Sequence, residues 1–199
     1  MKLKNGLNPI MNKLLLILIL TLSFQTLSKA DDIRDFEIEG MSIGDSLLDY
    51  FNKAKIKSNE KNYYKKKDYT PVWIVSSKFK TYSGVQFHYK KSEKNYLIHA
   101  LSGIKYFKND IKNCHKQLKI IDNEFKVIFK NANRSDKGIR KHLEDKSGKS
   151  KTWGIYYFLT SGDVAVVSCY DWSKKMGYND QLRISLVKGA FDDWAGTAF

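Results

Sequence analysis

Two groups of strand-like runs, separated by one amphipathic segment, constrain the fold of this chain most strongly. The amphipathic segment begins after Asn109 or Asp110, and its apolar residues recur at three- and four-residue spacing from Ile111 to Phe129. This spacing places them on one stripe of a helix, which must be buried against another element. The flanking runs alternate apolar and polar residues, as half-buried strands do. They are Val72–Phe79, Gly84–Lys90, Tyr96–Phe107, Gly154–Leu159, Val164–Tyr170 and Gln181–Val187.

A shorter strand and helix precede these runs. Residues 36–39 alternate like a strand, and Asp45 is placed to cap a helix whose apolar face carries Leu47, Phe51 and Ile56. The short turns between consecutive strands imply antiparallel pairing, since parallel strands need long crossover connections. The sequence therefore predicts an α+β fold in the order β-α-βββ-α-βββ, with two main helices packed on one face of an antiparallel sheet. Residues 31–199 form one domain in this prediction, and residues 131–152 are a long polar segment outside its elements.

One hairpin of this sheet can be predicted by residue. If residues 91–94 form its loop, the side chains on one face are those of Val85, Phe87, Tyr89, Tyr96, Ile98 and Ala100. Gln86, His88 and Lys90 then point to the opposite face. Ser102 and Gly103 are expected to mark a bulge or bend in the second strand.

The N-terminus has the pattern of a secretory signal peptide. Lysines at positions 2, 4 and 13 precede an apolar run from Leu14 to Phe24, and small residues follow at Ser28 and Ala30. This order predicts cleavage between Ala30 and Asp31. The alternative is an uncleaved anchor, but the run is about half the ~20 residues that a membrane-spanning helix needs. Met1 and Met11 are both candidate start sites, and the missing Cys after the run disfavours a lipoprotein.

The remaining chain is strongly basic. Residues 1–30 contain four lysines and no acidic residue, so their removal lowers the formal net charge from +14 to +10. Lysines supply most of this charge, whereas specific recognition of bases or phosphates favours arginine. We therefore expect no specific nucleic-acid partner. A solvated surface accounts for such a lysine excess, and weak attraction to an anionic envelope polymer or lipid headgroups is the alternative.

The chain has two cysteines, Cys114 on the apolar stripe of the predicted helix and Cys169 on a predicted strand. Two such residues meet if the helix lies over that strand, and thiols that meet in an oxidising compartment usually pair. The sequence therefore predicts a Cys114–Cys169 disulfide, with two buried free thiols as the alternative. A catalytic cysteine is not expected, because His115 follows Cys114 directly and neighbouring helix residues point apart.

Residues 44–47 read Gly-Asp-Ser-Leu, which resembles the nucleophile block of the GDSL esterases. Residues 177–180 read Gly-Tyr-Asn-Asp, similar to the block that stabilises the oxyanion in that family. A nucleophilic serine needs a base to remove its proton, and the family takes it from a histidine after the second block. No histidine follows Asn179 in this chain. Ser46 is thus a candidate nucleophile in one interpretation and part of an Asp-capped helix start in the other.

Two further groups of residues have alternative interpretations. His88 and His99 fall near each other in the predicted hairpin and could begin a metal site, but the sequence places no third ligand beside them. We therefore predict no metal and no cofactor. Aromatic residues among lysines can stack on sugars or bind an anionic polymer, or they can cover the edge of the core. They are Tyr63, Tyr64, Tyr69 and Tyr82.

The segment Phe36–Phe51, with Cys114 on a helix and the late run Ser168–Trp172, resembles a group of small exported bacterial proteins of uncharacterised function. This resemblance spans most of the chain after the leader and implies no activity. Gly40-Met41-Ser42 before an amphipathic helix is also similar to BamE-type envelope assembly proteins, which are small α+β modules that bind partners. The lipoprotein cysteine of that family is missing here.

Together these features predict an exported protein, either periplasmic or secreted. Its expected function is that of a non-catalytic binding or interaction module of the cell envelope. An envelope protein or an anionic envelope polymer is the expected partner. The alternative function is that of a small GDSL-like serine esterase using Ser46.

Overall fold

A seven-stranded antiparallel sheet forms the centre of the computed structural model, which describes residues 32–198. The strands of the described part are β1 (Glu37–Ile38), β2 (Met41–Ser42), β3 (Tyr69–Ile74), β4 (Gly84–Lys90), β5 (Ile98–Tyr106), β6 (Asn133–Lys141), β7 (Lys151–Phe158), β8 (Val164–Asp171) and β9 (Gln181–Val187). Its α-helices are α1 (Lys53–Ser58), α2 (Ile111–Ile128) and α3 (Gly189–Ala195). Strands β1 and β2 pair separately, and the large sheet has the order β3-β4-β5-β9-β8-β7-β6. The predicted α+β class with an antiparallel sheet is confirmed.

The predicted leader, residues 1–30, and its cleavage site between Ala30 and Asp31 lie outside the described residues. They stay predictions from the sequence. Among the helices that the structure describes, none has the length and apolar composition needed to cross a bilayer.

One face of the sheet carries the main core. Alternating residues of the strands, such as Val85, Phe87, Val167 and Leu182, are buried there. The apolar stripe of α2 packs on this face, and Ile56 of α1 joins the same cluster. Both helices thus pack on the same face of the sheet, as predicted, because their apolar residues and the apolar strand residues exclude water together.

Helix α2 is joined to the sheet by a disulfide. Cys114, one turn into the helix, and Cys169 of β8 are at disulfide bonding distance, with their Cα atoms 6.1 Å apart. The predicted pairing is confirmed, and the alternative of two free thiols is wrong. The bond closes a loop with a sequence separation of 55 residues between the cysteines.

A buried carboxylate fixes α2 to the sheet at a second point. Asp122 accepts hydrogen bonds from Nε of Arg134 at 2.8 Å and from the Tyr157 hydroxyl at 2.6 Å, and it forms an ion pair with Lys126. Burial alone would raise the pKa of Asp122, but these donors outweigh burial and lower the pKa to about 2. The carboxylate is therefore charged at neutral pH and ties α2 to β6 and β7.

Three elements differ from the sequence prediction. The polar segment 131–152 contains β6, an edge strand that bonds only to β7 and has no buried side chain, so it shows no apolar alternation. Helix α3 covers part of the opposite face of the sheet and was not expected. The helix predicted from Asp45 is divided: Ser46 caps a short 3-10 turn, and Asn52 caps α1.

The predicted facing of the hairpin of β4 and β5 is correct except at Ala100. Five of the six residues do belong to the main core: Val85, Phe87, Tyr89, Tyr96 and Ile98. The register shifts between His88 and Tyr89, so that Ala100 pairs with His88 and lies on the opposite face, near α3. The predicted irregularity at Ser102 and Gly103 is wrong, since both residues pair regularly with β4. An extra residue reverses the facing of every later side chain in a strand, and alternation alone does not locate it.

We expect reduction of the Cys114–Cys169 bond to lower the free energy of unfolding by on the order of 4 kcal/mol, because the closed loop restricts the unfolded chain. Urea unfolding with and without a reductant measures the change. The Cys114→Ala/Cys169→Ala double variant is the control and should not respond to reductant. An unchanged transition midpoint in the reduced protein would contradict this expectation.

The Asp122 network makes stability depend on acid pH. Because the pKa of Asp122 is lowered in the folded state, its contribution is complete above the unfolded pKa near 4 and is lost as the pH falls towards 2. It amounts to about 2 kcal/mol. Urea unfolding of the protein and of Asp122→Asn should therefore give a stability difference that shrinks between pH 5 and pH 2. The exposed Asp49→Asn is the control, and a pH-independent difference for Asp122→Asn would refute the assignment.

Candidate functional site

A cleft of about 920 Å³ lies on the face of the sheet opposite α2. Its floor is formed by residues of the central strands, among them Gln86 of β4, Ile104 of β5 and Arg183 of β9. Helix α3 covers the other end of this face, where Phe191 packs on Ala100 and Val187. The hydroxyls of Ser102 on β5 and Ser185 on β9 are buried 2.8 Å apart, between the cleft and the part of the face that α3 covers. The cleft is thus the part of the face that α3 leaves uncovered.

The lining of the cleft is unusually aromatic. Seven of its 17 residues are Tyr or Trp, whereas aromatic residues make up 14% of the chain. Several are also open to solvent: Tyr178 is 62% exposed and Tyr63 52% exposed. Leu143, next to two lining residues, is 98% exposed. Apolar surface concentrated around one cleft is typical of a binding site.

Tyr170 and Trp172 form an aromatic platform of two parallel rings in this cleft. They are two positions apart in sequence at the end of β8, so their side chains point the same way. Their rings are stacked at an interplanar angle of 11°, with centroids 5.6 Å apart. The Tyr178 ring meets the edge of Trp172 at 5.0 Å and the His142 ring lies 4.5 Å from it. The rings of Tyr178 and His142 therefore both pack on Trp172 and hold the platform in place.

The opposite wall comes from β3 and from the loop after α1. The Trp73 indole lies against Gly84, where any Cβ would approach the ring to 2.5 Å, so glycine is needed at that position. The loop is held at both ends, by hydrogen bonds from Lys61 N to Pro71 O and from Lys65 N to Ala198 O, each of 2.8 Å. These bonds place Tyr63 and Tyr64 at the cleft.

One buried carboxylate supports the platform side of the cleft. Asp145, in the loop between β6 and β7, accepts hydrogen bonds from the amides and hydroxyls of Ser147 and Ser150 and from the Ser173 hydroxyl. The Ser147 and Ser150 hydroxyls in particular hold the pKa of Asp145 far below its ordinary value. Because Ser173 follows Trp172, this carboxylate links the loop that carries His142 to the segment that carries the platform.

Arg183 is the charged group on the floor. Its Nη1 donates to Oε1 of Gln86 at 3.1 Å, and its guanidinium carbon lies 5.4 Å from the centre of the Tyr170 ring. Its Nε is buried and has no hydrogen-bond partner, and the same is true of Nε1 of Trp172. Within residues 32–198, no carboxylate forms an ion pair with Arg183. The cleft therefore holds buried donors and a positive charge that the protein leaves unsatisfied.

The other titratable groups do not neutralise this charge. Burial lowers the pKa of His88 to about 3 and also lowers the pKa of His142, so both imidazoles are neutral at pH 7. Burial raises the pKa of Tyr64 to about 12, which keeps its hydroxyl protonated 3.0 Å from Nε2 of His88. Lys65 and Glu144 are the remaining charged lining residues, and they have opposite signs.

Ser46 lies away from this cleft and has a structural role. Its hydroxyl donates to the Asn95 carbonyl at 2.7 Å and accepts the Leu48 amide at 3.2 Å, so it caps the short 3-10 turn. Ser46 bridges to Leu97 before β5, whereas Asp180 bonds to Phe107 after β5. The two esterase-like blocks are thus about 30 Å apart, at opposite ends of one strand. Nor does the structure place an imidazole at Ser46.

The four histidines all have other neighbours. His88 bonds to Tyr64, and His99 lies 2.9 Å from Glu93. His115 packs on Trp153, and His142 packs on Trp172. Across residues 32–198, no three His, Cys, Asp or Glu side chains cluster as a metal site would require.

The tyrosines singled out from the sequence fall into two pairs. Tyr69 is buried against Phe191 and Trp194, and Tyr82 packs on the main core. Tyr63 and Tyr64 line the cleft. The interpretation that these residues cover the edge of the core is thus confirmed for Tyr69 and Tyr82. The ligand-binding interpretation stays a prediction for Tyr63 and Tyr64, which reach the uncovered part of the face.

Most of the cleft was missed from the sequence. Trp73, Tyr170 and Arg183 alternate with buried core residues, and this alternation places them on the face opposite α2. That signal was present, but the strand order β3-β4-β5-β9-β8 is needed to know that these side chains meet.

The chain matches no protein-family model, and searches among curated proteins and among solved structures also find no match. The resemblances to small exported bacterial proteins and to BamE-type proteins stay predictions. Any function must therefore be argued from the cleft itself.

We expect the protein and its Ser46→Ala variant to hydrolyse short-chain acyl esters at the same background rate, because the Ser46 hydroxyl is engaged in capping and lacks a base. Release of p-nitrophenol from its acetate and butyrate esters measures this, with buffer alone as the control. A rate above background that disappears in Ser46→Ala would restore the esterase interpretation.

Proposed function

We propose that this protein is an exported, non-catalytic binding module of the cell envelope that holds its ligand in the aromatic cleft. The observation that carries the proposal is the concentration of exposed aromatic side chains around one uncovered part of the sheet. Tyr63 and Tyr178 expose more than half of their surface beside the aromatic platform of Tyr170 and Trp172. Burying such exposed rings against a ligand removes apolar surface from water, which favours binding.

The composition of the lining supports binding rather than catalysis. Its polar side chains include the amides of Asn62, Gln86, Asn179 and Gln181. Amides orient a ligand through hydrogen bonds but do not serve as nucleophiles or proton-transfer groups. The lining residues include no serine, cysteine or aspartate and a single glutamate, Glu144. The pair of carboxylates that glycoside hydrolysis uses is therefore not present in this lining.

Export is supported by two independent features. The N-terminal residues have the order of a secretory signal peptide. The Cys114–Cys169 pair is at disulfide distance, and such bonds persist in oxidising compartments such as the periplasm. A net charge of +10 without the leader favours partners in an anionic envelope.

Intrinsic fluorescence tests the proposal, because Trp73 and Trp172 both line the cleft. We expect a saturable change in emission when the purified protein is titrated with soluble glycan fragments released from cell-wall polymer. Tyr178→Ala should weaken binding at least tenfold, since it removes an exposed ring that contacts Trp172.

Tyr50→Ala is the matched control, because Tyr50 is also an exposed tyrosine but lies outside the cleft. It should leave the affinity unchanged. Absence of a saturable change with every fragment, or an equal loss in both variants, would overturn the proposal.

A further inference from the structure

The unsatisfied groups of the cleft restrict the chemistry of its ligand. A buried polar group without a partner destabilises a folded protein, so each one calls for an explanation. Nε of Arg183 and Nε1 of Trp172 are two such groups, and both are donors. No acceptor among residues 32–198 reaches them, although Gln86 satisfies another nitrogen of the same guanidinium. A ligand that brings acceptor oxygens would complete the site.

The charge of Arg183 restricts the chemistry of the ligand further. A guanidinium cannot lose its proton at any pH at which the protein is folded. Its neighbours on the floor are the neutral Gln86 amide and the Tyr170 ring, which satisfy part of the group without cancelling its charge. The fork of an arginine matches a carboxylate with two parallel hydrogen bonds. An anionic oxygen pair is therefore the group that fits this position best.

The rest of the ligand must fit the platform and the amides. The parallel rings of Tyr170 and Trp172 offer aromatic surface against which the apolar face of a sugar ring can stack. Side-chain amides around it, such as Gln86, Gln181 and Asn179, both donate and accept hydrogen bonds, as ring hydroxyls require. The openness of the face at Tyr63 and Tyr178 leaves room for a chain to continue beyond the cleft.

Resting on the proposed function, we infer that the ligand is an acidic glycan, a sugar chain with a carboxylate that Arg183 binds while its rings stack on Tyr170 and Trp172. This assigns to Arg183 the choice between acidic and neutral sugars. The aromatic platform supplies affinity for both kinds.

Calorimetric titration with two matched probes tests the inference. The probes are an oligomer of galacturonic acid and its fully methyl-esterified form, in which each charged carboxylate is replaced by a neutral methyl ester. We expect the acid to bind ten- to a hundredfold more tightly than the ester, as for a hydrogen-bonded ion pair.

Two variants locate the source of this preference. Arg183→Gln should remove it while the ester keeps its affinity. Gln86→Glu keeps Arg183 and the platform but gives the guanidinium an internal carboxylate, so the acid should lose at least tenfold more affinity than the ester does. Far-ultraviolet circular dichroism verifies that each variant is folded.

The possible failures are distinguishable. Equal affinity for the acid and the ester, with both lost in Tyr178→Ala, would overturn the acidic-glycan inference and leave the proposed function standing. Tighter binding of adenosine monophosphate than of the acid would overturn the inference in favour of a nucleotide. No binding of any probe or cell-wall fragment would overturn both.

Discussion

The attachment of α2 to one face of the sheet is the constraint on which the rest of the structure depends. The Cys114–Cys169 bond holds the first turns of the helix on β8, and the Asp122 network holds its later turns on β6 and β7. These two attachments cover the main core on one side. The other side of the same strands is then free to carry different chemistry, since successive side chains of a strand point to opposite faces.

That second face is divided by a short helix. Helix α3 buries the apolar end of the face through Phe191, and the loop that carries Tyr63 and Tyr64 bonds to Ala198, which follows α3. The cleft is what remains, shaped by loops that Asp145 links together. Its rings and its single unneutralised arginine are thus held by elements that do not themselves need a ligand to fold. Such a preformed site loses little conformational entropy on binding.

Short motifs in this chain mislead because they are local. The Gly-Asp-Ser-Leu block is a turn in which Ser46 caps a 3-10 helix, and the Gly-Tyr-Asn-Asp block ends at Asp180, which accepts the Trp172 amide at 2.9 Å. Each block has a structural role of its own, and the two blocks lie at opposite ends of β5. Chemistry between two residues requires proximity, and proximity here is set by strand order.

The sequence alone determined the antiparallel α+β class, α2 and its apolar stripe, and the partnership of Cys114 with Cys169. The class and the helix follow from the periodicity of apolar residues and from short turns, which are local features. The cysteine pairing follows because the chain has only two cysteines. Strand β6 was not predicted, because an exposed edge strand has no alternation of apolar and polar residues. Ala100 was assigned to the wrong face, because one extra residue reverses the facing of the side chains that follow it. Only the tertiary structure decided the cleft. Its residues come from a loop, from five strands and from two turns, and the strand order β3-β4-β5-β9-β8 brings them together across most of the chain's length.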